Sequence, residues 1–264
     1  MTIINLELYQ NCLSHYSKVS DHDFVVSNSI PIPYFGDLAA YQASPLRILT
    51  AALNPSDSEF KKTRFDVHSG LNGPTELETE LSAYFNNEPY RRWFRSFELV
   101  LSGLDASYGG KMVEGNFCST ALHVDLCSPI ATNPTWSKLL PKQRDILTTS
   151  GREIFEQLVD ELEPNIIIAS LSWKHIEKWH SDFQSGREWD RIIEHSTTAK
   201  GVRLRAPLLV QYKTMSTRKD HPHLFVNATA AHMPFGWFTS ERKLDAGQKL
   251  RELFKEIRSQ VDDA

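Results

Sequence analysis

Short apolar runs that alternate with helix-periodic stretches constrain this chain more than any other feature. The runs occupy residues 46–54, 119–130, 165–171 and 224–231. The third reads Ile166-Ile167-Ile168-Ala169 without a polar interruption. Such runs are the pattern of strands buried on both faces of a parallel sheet. Between them, residues 76–104 place Leu77, Leu81, Tyr84 and Phe85, then Trp93, Phe94, Phe97 and Val100, near helical spacing. Residues 142–162 form an amphipathic pattern (Ile146, Ile154, Leu158, Leu162) that closes at Pro164. Residues 173–183 read as a short helix, 202–214 as a strand or hairpin, and 240–261 as a terminal helix capped by Ser240. Strands alternating with helices predict an α/β fold layered around a mainly parallel sheet.

The chain has 264 residues, 41% of them apolar, and no linker-like stretch divides it. One domain is expected: a lead-in over 1–45 broken by Pro31, Pro33 and Gly36, a core over 46–240, and a C-terminal helix over 241–264. No apolar run reaches the roughly 18 residues of a membrane span. Residues 1–20 lack a basic start and an apolar centre, so no secretory signal is expected. Three cysteines, Cys12, Cys118 and Cys127, offer neither a disulfide framework nor a CxxC pair. A cytoplasmic monomer fits these features.

A net charge of −4 argues against general nucleic-acid binding. The charge is unevenly placed, however. Between Lys200 and His223 stand six basic residues (Lys200, Arg203, Arg205, Lys213, Arg218, Lys219) and one acid, Asp220. A protein that grips a few phosphates needs only such a local strip, and Lys213, Arg218 and Lys219 are its candidates. His221 and His223 flank Pro222, but no third ligand of suitable spacing follows, so no metal is expected.

In parallel α/β sheets, ligands sit outside the carboxyl ends of the strands. Asn54, Asp125 and His232 lie at or just beyond three different predicted strand ends. Each also has a plain structural reading: Asn54-Pro55 as a turn, Asp125 as a cap or ion-pair partner, His232 as a loop residue.

Four segments resemble the uracil-DNA glycosylase superfamily, nearest to its single-strand-selective monofunctional and mismatch-specific branches. They are residues 48–56 ending in Asn54-Pro55-Ser56, His123-Val124-Asp125-Leu126-Cys127, the run 166–170, and His232-Met233-Pro234-Phe235-Gly236. The resemblance implies a three-layer α/β/α fold with a four-stranded sheet and a partner in single- or double-stranded DNA. It implies that Asn54 orients the attacking water; Asp57, three residues on, is a candidate general base or an N-cap. His232 would donate to the base O2, where glycosidic cleavage places negative charge. Phe60, with Phe65 as competitor, would stack on a flipped base, and Phe235 or Trp237 would fill the gap left in the duplex. No cofactor is implied, and three scattered cysteines cannot ligate an iron–sulfur cluster. The chain departs from the pattern at Ala52 and Ser56, where relatives carry glycine, and at Met233, which separates His from Pro.

The most directed departure is Asp125, where uracil-reading relatives carry Asn. An ionised carboxylate accepts from the exocyclic amine of cytosine and is repelled by O4 of uracil. The expectation is therefore a monofunctional glycosylase that excises a cytosine-type base and leaves an abasic site. Excision of ordinary cytosine would destroy the host genome, so the expected target is a modified cytosine, as in glucosylated hydroxymethylcytosine of viral DNA, and the expected role is antiviral defence. The alternatives are a uracil or mismatch repair glycosylase, a non-catalytic DNA-binding or sensing module, and an unrelated hydrolase of small molecules.

Overall fold

The side chain of Asn5 accepts a hydrogen bond from Glu7 N at 3.1 Å and so opens the first helix, α1 (Leu6–Val19). The computed structural model describes residues 4–60, 65, 73–86, 91–109, 112–113, 116–180, 189–198, 200–216 and 222–262. After α1 come β1 (Tyr34–Phe35), α2 (Leu38–Gln42), β2 (Ile48–Ala52), a 3-10 turn (Asp57–Phe60), α3 (Pro74–Ala83) and α4 (Arg91–Gly103). Three two-residue strands follow: β3 (Ala106–Ser107), β4 (Met112–Val113) and β5 (Asn116–Phe117). The chain continues through β6 (Ser119–Asp125), α5 (Pro141–Leu162), β7 (Ile166–Ala169) and α6 (Trp173–His180). It ends with β8 (Asp190–Thr197), β9 (Arg203–Ser216), β10 (Pro222–Ala228) and α7 (Ser240–Asp262).

The central sheet runs β1-β6-β2-β7-β10-β9-β8, with β3 also paired to β6. Strands β6, β2, β7 and β10 are mutually parallel, whereas β1, β9 and β8 add antiparallel edges. The sheet has eight strands where four were expected, because β1, β3, β8 and β9 join the parallel strands β6, β2, β7 and β10. Every residue of β2, β6 and β7 is buried, which is why these strands lack alternation. The antiparallel β8 hides only Ile193 and so left no apolar run to read.

The expected single helix over residues 76–104 is divided. α3 gives way to a 3-10 turn at Tyr84–Asn86, and α4 begins at Arg91. α5 starts on Pro141, with Leu140 N donating to the Gln143 side chain at 2.8 Å. It stops at Glu163, whose φ of 43° is left-handed, and Pro164 prevents continuation. Two close approaches fix the helices. Gly151 of α5 lies against the backbone of Cys127 and Ser128. Gly103 of α4 and Gly247 of α7 let those helices touch backbone to backbone. Nearly all of the buried apolar side chains among the described residues form one cluster, which includes the lead-in residues Tyr9, Tyr34 and Phe35. Among the described residues, no helix is long and apolar enough to cross a membrane.

Candidate functional site

The chain enters the parallel centre at β2, steps out to β6, then crosses back to β7 and β10. The strand order therefore reverses between β2 and β7, and a crevice is expected outside their carboxyl ends. Asn54 follows β2 and Ser170 follows β7. Register places Ala52 beside Asp125 on β6, and Ala169 beside both Ala51 and Asn227. The candidate residues thus share one edge of the sheet.

Asn54 is half-buried, and its side-chain amide donates to Pro55 O at 2.7 Å, Ile130 O at 3.1 Å and Thr132 Oγ1 at 2.9 Å. Leu126 N and Cys127 N extend the β2–β6 pairing to Ala52 O and Leu53 O, each at 2.9 Å, which brings the Ile130–Thr132 backbone within reach. With its amide hydrogens committed, Asn54 keeps Oδ1 as an acceptor, and no described residue donates to it. An acceptor held at a strand end can orient a water.

Asp125 closes β6 with both carboxyl oxygens buried and without a hydrogen-bond partner among the described residues. Its side chain is 3% exposed, and His123 Nε2 stands 3.9 Å from Oδ1. That pair is not an ion pair. Burial among Phe35, Phe94 and Phe97 lowers the His123 pKa to about 3 and keeps the imidazole neutral. Its Nδ1 is engaged by Thr50 Oγ1 at 2.7 Å, and Thr50 in turn meets Tyr108 OH at 2.5 Å. Burial, reinforced by the nearby Glu59 carboxylate, pushes the Asp125 pKa well above the usual carboxylate range. Burial therefore favours the protonated form of Asp125. Burial on a strand whose seven residues are all buried disfavours the ionised carboxylate expected from the sequence.

Glu59 lies on the 3-10 turn Asp57–Phe60 that follows Asn54 and accepts a short hydrogen bond from Tyr84 OH. It is 5% exposed, and its weight at this site was not visible in the sequence. Asp57 is half-buried at the start of the same turn. Phe60 is half-buried and stacks on Phe65, with ring centroids 5.5 Å apart. Phe65 is 4% exposed and packs on Tyr84, so the competitor for the stacking role is a backing residue and Phe60 alone offers a face.

The loop after β10 carries His232, which is exposed. Phe235 is fully buried against Phe97 and Phe238, so it cannot serve as a wedge; it belongs to the core. Trp237 is 63% exposed, and its ring is braced by Nε1 donating to Ala230 O at 2.9 Å. The wedge candidate is therefore Trp237.

The expected basic strip changes as well. Lys213 is 5% exposed on β9, opposite Phe225, and burial lowers its pKa; it does not offer a surface phosphate contact. Arg218 and Lys219 lie outside the described residues, as does His221. His223 is buried on β10, and burial lowers its pKa to about 4. Among the described residues, no group of His, Cys, Asp and Glu is arranged to hold a metal.

A different cationic surface lies at this edge of the sheet, on the α5 side of β6. A groove of about 200 Å³ is lined by Cys127, Trp136, Arg144, Asp145, Arg152 and Lys174, and Arg152 Nε also donates to Glu156 at 3.1 Å. Arg144 is fixed by Nε and Nη2 donating to Leu139 O at 3.1 and 2.9 Å. Its cations, Arg144, Arg152 and Lys174, are dispersed over 31 residues of sequence, from 144 to 174, so no local charge count reveals them. The groove does not include the enclosed Asp125 carboxyl.

The fold is mixed α/β with a parallel centre and antiparallel edges. No protein-family model, curated protein or solved structure matches the chain.

Proposed function

We propose that this protein is a monofunctional DNA glycosylase. It turns a modified cytosine-type nucleotide out of the helix, hydrolyses its N-glycosidic bond and leaves an abasic site, in defence against viral DNA. The observation that carries this reading is the unpartnered, buried carboxyl of Asp125 at a strand end, one strand from Asn54. A buried polar group without a partner costs about 1–3 kcal/mol. Its retention at a ligand-binding edge fits a group whose partner arrives with the substrate. Asn54 Oδ1 orients water, His232 donates to the departing base, Phe60 stacks, and Trp237 occupies the vacated position in the helix. The resemblance of the four segments to uracil-DNA glycosylases supplies the reaction class.

The test uses duplexes and single strands carrying uracil, cytosine, 5-hydroxymethylcytosine or its glucosylated form, followed by alkaline cleavage at abasic sites. Strand breaks are expected at a cytosine-type base and little cleavage at uracil. Asp125→Asn should move the single-turnover ratio toward uracil. Absence of abasic sites on every substrate overturns the reading. Preference for uracil by the wild type would make it a repair glycosylase.

The groove is assigned to the DNA phosphates. Arg152→Glu with Lys174→Glu should weaken DNA binding at every sequence. It should also flatten the slope of log affinity against log salt by about 0.9 for each phosphate no longer neutralised. An unchanged slope would place the groove away from DNA.

A further inference from the structure

Resting on the glycosylase reading, we infer that Asp125 meets the base as a carboxylic acid and hands its proton to the ring nitrogen N3 as the glycosidic bond breaks. The geometry behind this is the enclosure of both oxygens without a partner, on a strand whose neighbouring His123 is held neutral. Among the described residues, the titratable groups beside Asp125 are Glu59, on the turn after β2 and bonded to Tyr84, and His123 on its own strand. None of them supplies a positive charge. Glu59 opposes ionisation, and so does burial.

A neutral carboxyl offers one donor and one acceptor. Its O–H can donate to N3 of cytosine while its carbonyl accepts from the N4 amine. Turned over, the same pair can also meet uracil, as an Asn amide does. Hydrogen bonding alone therefore does not separate the two bases when the acid is neutral. Proton transfer does, because cytosine N3 carries a lone pair and uracil N3 already carries hydrogen. Neither N3 nor N4 is altered by a substituent at C5, so the device serves any C5-modified cytosine.

As the bond breaks, the proton leaves Asp125 for N3, and the electron pair of the C1′–N1 bond withdraws onto N1. The base departs neutral, as the tautomer that carries hydrogen on N3. Water held by Asn54 bonds to C1′ and its proton passes to Asp57. Asp125, left as a carboxylate, regains a proton from solvent after the product leaves.

The test is the pH dependence of single-turnover excision of glucosylated 5-hydroxymethylcytosine, or 5-hydroxymethylcytosine if that is the better substrate, from about pH 5 to about pH 9. The wild-type rate should be level at low pH and fall about tenfold per pH unit above the Asp125 pKa. Glu59→Gln removes the adjacent negative charge and should move that falling limb to lower pH. Asp125→Asn should lose excision of the cytosine-type base while its DNA affinity changes little, and its residual rate should show no such limb.

A readout without DNA accompanies these. A carboxyl whose folded pKa is raised contributes stability below its unfolded value, and this is lost as pH rises through the folded value. The thermal midpoint of Asp125→Asn should therefore gain on that of the wild type with increasing pH. A wild-type rate that stays level or rises across the range, or a midpoint gap that does not change with pH, overturns the proton transfer while the glycosylase reading stands. If no base is released at any pH, the glycosylase reading fails and the inference falls with it. If Asp125→Asn does not fold, the Glu59→Gln profile decides, and an unmoved limb counts against the proposal.

Discussion

Single-turnover base release by an Asn54→Ala protein should fall by about 10²-fold or more, the loss typical of a removed orienting or charge-stabilising group. Two effects combine. The acceptor Oδ1 at the end of β2 disappears, and with it the fixed position of the attacking water. The three amide hydrogen bonds to Pro55, Ile130 and Thr132 disappear as well. The Ile130 carbonyl and the Thr132 hydroxyl then lose a donor, which costs about 1–3 kcal/mol. The thermal midpoint should therefore drop measurably, and the loop after β6 should loosen. Thr132→Val separates the effects, since it removes one tether and leaves Oδ1 in place. If Thr132→Val slows excision as much as Asn54→Ala, Asn54 acts as a loop anchor. Near-wild-type release by folded Asn54→Ala would remove the residue from the mechanism altogether.

Gly247→Ala should destabilise the protein strongly for the addition of a single methyl group. A Cβ at Gly247 would stand 2.0 Å from Val100 O and 2.9 Å from the Cα of Gly103. Both are backbone atoms of α4, so no side chain can swing aside and the helices must part. Overpacking of this kind costs typically 1–3 kcal/mol and more when backbone must shift. A loss of roughly 3 kcal/mol lowers the midpoint by about 6–12 °C in a protein of this size. Gly103→Ala should behave similarly, since its Cβ would meet Leu244 O at 2.3 Å. Gly109 has nothing within 4 Å of an added Cβ, so Gly109→Ala is the control and should be close to neutral. Equal midpoints for Gly247→Ala and Gly109→Ala would mean that the α4–α7 crossing is looser than these distances require.

The parallel centre was legible because burial on both faces writes itself as unbroken apolar residues. β2, β7 and β10 fall within their predicted runs or within two residues of them, and α5 lies within one residue of expectation at its start. The antiparallel edges were hidden for the opposite reason. β8 is mostly exposed and β1 and β3 are two residues long, so neither period nor composition marks them. At the site, the strand ends Asn54 and Asp125 were readable from position alone. The raised pKa of Asp125 was not, since it depends on burial in the folded sheet and on Glu59, 66 positions away in sequence. Phe235 and Trp237 looked equivalent as sequence. The left-handed backbone at Phe235, with φ of 52°, turns its ring inward and leaves Trp237 outside.

That same turn has a consequence for timing. Phe235 N donates to Ser170 Oγ at 3.1 Å, Ser170 Oγ donates to Thr229 O at 3.3 Å, and Thr229 N donates to Leu209 O at 2.9 Å. The segment bearing His232 and Trp237 is thereby stitched to the end of β7 and to β9. Its conformational entropy is given up when the chain folds, including the cost of a left-handed non-glycine residue. A partner arriving at this surface meets a shape already set. Association through it should be limited by encounter and by rearrangement of the partner, with no ordering penalty on the protein's side.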